Sequence, residues 1–202
     1  MPSAPDGEED ASAGWDAIAD RFMAVRSPAG ADMVLRWSRC LPPGGTILDL
    51  GCGSGVPMAT ALAARGFVLF GVDASPRLLA AFRQNLPGAL AACEPAERSS
   101  LFGRRFDGVL AIGLLFLLPE TAQTELIARV GLALIDGGRF LFSAPHAPCA
   151  WRDTLTGRES RSLGEERYAA LIAGAGMQVV ATFLDEGGNH YFDAVALPRA
   201  AA

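Results

Sequence analysis

The run Ile47-Leu48-Asp49-Leu50-Gly51-Cys52-Gly53-Ser54-Gly55 ends an apolar segment in three alternate glycines. A second apolar run, Val68-Leu69-Phe70-Gly71-Val72, ends at Asp73, 18 residues after Gly55. Glycine lets the backbone approach a ligand closely, and an acid about 20 residues further on is spaced to hold ribose hydroxyls. The glycines alone read equally as a tight strand-to-helix turn; Asp73 tips the reading toward a nucleoside-like ligand. Asp49 narrows it further. A carboxylate beside pyrophosphate in a partly desolvated site costs on the order of kilocalories per mole, whereas a phosphate-free ligand with a cationic amine or sulfonium gains from it. Bonding the amides of its own loop is the other use open to Asp49.

A second set of chemistry-bearing residues lies late in the chain. His146 and His190 are the only histidines, and Tyr191 follows the turn Asp185-Glu186-Gly187-Gly188-Asn189. His190 with Tyr191 forms the preferred acceptor-side pair, and His146 is a further candidate base beside Trp151, whose ring offers a stacking surface. For each, an exposed histidine, a surface turn or a packed aromatic is the competing reading. The cysteines at 40, 52, 93 and 149 have no C-x-x-C spacing, so neither they nor the histidines form a metal-ligand pattern, and nothing in the sequence marks a nucleophilic thiol.

These residues need a scaffold of strands and helices. Apolar runs at 46–50, 67–72, 89–93, 108–113 and 139–143 alternate with helical patterns, the signature of a parallel sheet built from βα units. Leu78, Leu79, Phe82 and Leu86 share one helix face; Leu126, Ile127, Val130 and Leu134 share another, which Asp136-Gly137-Gly138 should end. Tyr168, Leu171, Ile172 and Ala175 mark a last helix, followed by a closing hairpin of 178–183 and 190–197. In front stand two helices, one carrying Trp15, Ile18, Phe22 and Val25 and one over about 31–41. Residues 1–13 read as a flexible acidic tail and 14–202 as one domain. Ligands gather beyond the carboxyl ends of parallel strands, which selects the glycine loop, Asp73, both histidines and the long Pro-rich loop 144–164, a candidate lid.

Composition removes alternatives. All 17 cations are arginine, so Schiff-base, Walker-loop, kinase and Tyr-x-x-x-Lys mechanisms have no lysine to use. A formal net charge of −5 gives no footprint for nucleic acid, and the longest apolar stretch, 108–118, is about half of what crosses a bilayer. The acidic first residues resemble neither a secretory signal nor a transit peptide, so a cytoplasmic location is expected.

S-adenosylmethionine has the charge pattern that Asp49 calls for, and over roughly 46–145 the chain resembles the class I S-adenosylmethionine-dependent methyltransferases. Leu48 to Gly55 is similar to their first motif and Gly71-Val72-Asp73-Ala74-Ser75 to their second. Phe106-Asp107-Gly108-Val109 and Leu134-Ile135-Asp136-Gly137-Gly138-Arg139-Phe140 are similar to the stretches entering their fourth and fifth strands. The resemblance implies a doubly wound, mostly parallel seven-strand α/β sheet with an antiparallel last strand and two N-terminal helices. It implies a methionine moiety against the backbone of Gly51 and Gly53 near Asp49, with Cys52 and Gly55 also binding the cofactor, and ribose on Asp73. Ala74 and Ser75 would flank the adenine, Glu94 (or, second, Glu97) would meet its amino group, and Ala111 and Ile112 would border the cofactor. Pro95 departs from the pattern because it has no amide to offer the ring. The implied reaction is direct in-line methyl transfer to a small, partly apolar acceptor. A nicotinamide oxidoreductase and a non-catalytic cofactor-binding partner subunit are the alternatives; the first should show Gly-x-Gly-x-x-Gly spacing and gives Asp49 no purpose.

Overall fold

The computed structural model describes residues 10–199. Helices α1 (Ala19–Val25) and α2 (Ala31–Trp37) precede β1 (Thr46–Leu50), followed by α3 (Met58–Ala63), β2 (Val68–Asp73), α4 (Pro76–Asn85), β3 (Leu90–Cys93), β4 (Phe106–Ala111), α5 (Glu120–Ala133) and β5 (Leu134–Ser143). A short ribbon, β6 (Cys149–Arg152) with β7 (Glu159–Ser162), leads to α6 (Glu165–Gly174) and the final hairpin β8 (Met177–Leu184) and β9 (His190–Ala196). The main sheet runs β3-β2-β1-β4-β5-β9-β8. Its first five strands are parallel, and β9 is antiparallel to both β5 and β8. This is the seven-strand architecture expected from the sequence.

Central strands bury both faces, which is why β1 reads as a nearly unbroken apolar run. On one face Leu126, Ile127 and Val130 of α5 pack with Tyr168 and Ile172 of α6. On the other, Val34 and Trp37 of α2 pack with Leu62 of α3 and Leu79 and Phe82 of α4. Strand order reverses between β1 and β4, opening a crevice at their carboxyl ends. Among the described residues no helix is long and apolar enough to cross a membrane.

Four local expectations change. Leu134 opens β5 instead of closing α5, and Asp136-Gly137-Gly138 forms an irregularity within that strand, where Gly137 adopts φ +77° and the register to β4 shifts. Ile112 and Gly113 leave the sheet at the end of β4, and Gly113 N–H donates to Ser143 Oγ at 2.8 Å. The 144–164 segment is no free lid, because it folds as the β6/β7 ribbon and is held at its base by buried Gln123, whose amide donates to Leu118 O and Arg161 O. Tyr168 Oη donates to Gln123 Oε1 at 2.8 Å and fixes that amide. Of the expected tail, residues 1–9 lie outside the described residues; 10–13 form a turn tied by Asp10, which accepts from Ser12 N, Ser12 Oγ and Gly14 N.

Helices α5 and α6 approach so closely at Gly131 that an added Cβ would stand 2.3 Å from Ala175 O. Gly131→Ala is expected to lower unfolding stability by about 1–3 kcal/mol through forced helix displacement. Urea titration against the parent chain measures it, and an unchanged midpoint would show that the helices part without cost.

Candidate active site

The glycine loop is set by β1 and clamped to β2. Gly51 and Cys52 N–H both donate to Val72 O, at 2.8 and 3.1 Å, and Gly53 N–H donates to Asp73 Oδ2 at 2.8 Å. Gly51 and Gly53 sit at φ +66° and +55°, a region that costs any side chain strain. Gly55 serves packing, since a Cβ there would come within 2.9 Å of Phe82 and Leu86. The loop walls a cleft of about 670 Å³, a size suited to a nucleoside cofactor.

Asp49 lines this cleft while only 5% exposed. Burial raises its pKa to about 7 against the downward pull of Arg26, and Asp73 adds to the rise. No described residue donates a hydrogen bond to its carboxylate. Loop-amide bonding, the alternative use of this acid, is therefore not how it is satisfied. Arg26, half-buried over the Phe22 ring at 5.6 Å, also lines the cleft and is paired with no carboxylate among the described residues. A buried acid with no hydrogen-bond donor suits the cationic end of an amino-acid ligand.

Asp73 closes β2. Burial raises its pKa, opposed by the Ser75 and Gly53 amides. Ala74 lines the cleft, but Ser75 does not: it is fully buried, caps α4 through Leu78 N–H, and donates its hydroxyl to Asp16 at 2.6 Å. The expected adenine contact also moves. Glu94 is absent from the cleft wall, where Pro95, Ala96 and Glu97 stand instead. The turn after β3 carries the wall past Glu94, whose N–H donates to Asp73 O. Ala111 is wholly buried in the core and Ile112 lines the cleft in its place. Cys52 lines it too, with a thiol pushed up by burial and by Asp49 and Asp73. Such a thiol is not a nucleophile near neutral pH.

The roof of the cleft is the N-terminal strap. Trp15 and Phe22, edge to face at 5.2 Å, line it. Asp16 latches the strap beside Asp73, accepting from Ser75 Oγ and from Arg77 N–H at 2.9 Å, and Asp20 pairs with Arg77 at 2.5 Å. Asp16→Ala should weaken cofactor affinity a few-fold while leaving the fold intact. Calorimetry and circular dichroism test this together, and equal affinities would remove the latch from binding.

A second cavity of about 320 Å³ adjoins the cleft, sharing Arg26, Met58, Ile112 and Gly113 with it. Its far wall carries Phe116, Trp151 and His190. Tyr191 reaches this wall but differs from its expected role. It is 2% exposed, its hydroxyl donates to Asp185 Oδ2 at 2.9 Å, and burial and Asp185 drive its pKa upward. It braces the turn and is no base. His146 does not line the cavity; its Nε2 lies 2.6 Å from Glu165 Oε2, behind His190 at a ring separation of 5.5 Å. Of the three expected acceptor-side residues, His190 alone faces the cavity with an uncommitted side chain.

Sheet order, glycine loop and paired cavities define a class I S-adenosylmethionine-dependent methyltransferase fold. The methyltransferase domain family model matches residues 20–202, and the chain belongs to that family. It is similar to trans-aconitate 2-methyltransferase of Methylobacterium nodulans, 31% identical over 81% of this chain. It is also 31% identical over 84% of its length to the cypemycin N-terminal methyltransferase of a Streptomyces species, covering 72% of that protein. The chain spans 61% of the length of the first relative and 52% of another. Among solved structures it is similar to the Burkholderia thailandensis 1,6-didemethyltoxoflavin-N1-methyltransferase with bound 1,6-didemethyltoxoflavin and S-adenosylhomocysteine. The TM-score is 0.74 at 21% identity, over 98% of this chain and 94% of that one.

Proposed function

We propose that the chain is a methyltransferase that takes S-adenosylmethionine in the larger cleft and a small, partly apolar acceptor in the adjoining cavity. The observation carrying this reading is the buried, unpartnered carboxylate of Asp49 beside a glycine cradle, an arrangement that repels pyrophosphate and welcomes a cation. The same feature disfavours a nicotinamide oxidoreductase. S-adenosylmethionine, when bound, supplies a methyl group already activated on a sulfonium, so the protein's part is positioning and exclusion of water. Asp49 holds the cationic methionine end, Asp73 holds the ribose, Ala74, Ala96 and Glu97 face the adenine, and Arg26 stands at the boundary with the adjoining cavity. Met58, Ile112 and Gly113 form the apolar boundary between the two ligands. His190 takes the acceptor's proton where there is one.

Relatives named for trans-aconitate and for the cypemycin N-terminus support a small or peptide-end acceptor, while the net charge of −5 argues against nucleic acid. A cytoplasmic setting fits the reading. Equilibrium dialysis with S-adenosylmethionine, S-adenosylhomocysteine and NADH tests it: binding of the first two is expected, and NADH binding alone would overturn it. Production of S-adenosylhomocysteine with an accepted substrate excludes a non-catalytic partner subunit. His190→Ala should lower kcat about 100-fold on a hydroxyl acceptor with cofactor affinity unchanged. Equal rates would return His190 to the surface-turn reading.

A further inference from the structure

The acceptor cavity is electrostatically one-sided. Its titratable wall residues are Arg26, His190 and Tyr191, and none is an acid. Four carboxylates stand near it, and each is already engaged or faces elsewhere. Asp185, buried at 8% exposure, accepts from Gly187 N, Asn189 N, Asn189 Nδ2 and Tyr191 Oη. Burial alone would raise its pKa, yet the Asn189 and Tyr191 donors and the Gly187 amide hold it below the usual carboxylate range. Glu186 accepts from Gly30 N–H, Glu165 is paired with His146, and Asp49 belongs to the other cleft. An amine acceptor would enter as an ammonium ion, meet Arg26 at the shared boundary, and find no carboxylate free to receive it. An acidic oxygen meets the opposite situation: Arg26 attracts its anion, and His190 accepts a hydroxyl proton or, when protonated, donates to a carboxylate. Trp151 offers an aromatic face, Phe116 leans against it with the rings 5.3 Å apart and tilted by 47°, and Pro145 and Ala144 extend the apolar surface.

We infer that the acceptor is an acidic oxygen, a carboxylate or a phenolic or enolic hydroxyl, carried on an unsaturated skeleton that packs on Trp151, because no carboxylate lines the cavity while Arg26 and His190 do. The inference rests on the methyltransferase reading and adds the acceptor atom to it. In the step itself, the acceptor oxygen's lone pair forms the new O–C bond to the methyl carbon. The C–S bond breaks with its electron pair left on sulfur. For a carboxylate, anion and sulfonium cancel and no proton is released; for a hydroxyl, one proton leaves by way of His190.

The test uses three probes on one skeleton, 2-naphthoate, 2-naphthol and 2-naphthylmethylamine, titrated calorimetrically into the full chain saturated with S-adenosylhomocysteine. Both oxygen acids are expected to bind about tenfold or more tighter than the amine. Trp151→Leu should weaken all three alike, which assigns binding to this cavity. Products formed with methyl-labelled cofactor distinguish the arms: an alkali-labile label with no proton release marks the carboxylate, and an alkali-stable label with one proton marks the hydroxyl. An amine bound as tightly as the acids, a methylated amine as the preferred product, or no binding of either acid at millimolar concentration would overturn the inference. Failure of S-adenosylhomocysteine to bind at all would instead sink the parent reading.

Discussion

Asp73→Ala will weaken S-adenosylhomocysteine binding by roughly 1.5–3 kcal/mol, a loss of about tenfold to over a hundredfold, because charge-assisted bonds to the ribose vanish. The structure adds a second consequence. Asp73 also accepts from Gly53 N–H and Ser75 N–H, both at 2.8 Å, so its removal releases the glycine loop and the start of α4 together. Asp73→Asn keeps an oxygen for one of those amides and should retain more stability than affinity. Thermal unfolding and calorimetry on the two variants separate the effects. Parent-like affinity in Asp73→Ala would take this carboxylate out of the ligand's reach.

Cofactor affinity will also depend on pH, and the direction follows from Asp49. Its folded-state pKa stands near 7, raised by burial. A cationic methionine end prefers the ionised carboxylate, so the association constant should climb about tenfold per pH unit from about pH 5 and level off above neutrality. Binding near neutral pH should release protons, visible in buffers of different ionisation enthalpy. Asp49→Asn should bind weakly and without that slope. The ligand-free chain should behave in the opposite sense. Because the folded pKa lies above the unfolded one, this group's contribution to stability is complete below the unfolded pKa and is lost as pH rises through 7, by an amount on the order of a few kcal/mol. A flat affinity profile between about pH 5 and about pH 8 would detach Asp49 from the cation.

What was legible in the sequence followed from burial and backbone restriction. Strands β1 and β2 announce themselves as apolar runs because both faces are covered, and the glycines and Asp73 sit at a spacing that backbone geometry demands. The β6/β7 ribbon left no such trace. Its inward positions are Ser160 and Ser162, small polar residues that hydropathy cannot distinguish from a loop. Arg26 and Asp49 face one cleft from distant parts of the chain, with no motif to connect them. In the sequence Tyr191 has the look of a catalytic group; its hydroxyl is held by Asp185, a contact that depends on how the turn folds back on its own strand. Glu94 and Glu97 are alike in composition, and only the course of the chain after β3 separates them.

The anchored ribbon ties the molecule's two pockets together. Its base is riveted to α5 and α6 through Gln123 and Tyr168, while its outer reach, organised by Asp153 accepting from Leu155 and Thr156, supplies part of the walls. Trp151 of that ribbon faces the acceptor cavity while Arg158 of its tip lines the cofactor cleft, so any exchange of the ribbon is felt in both pockets at once.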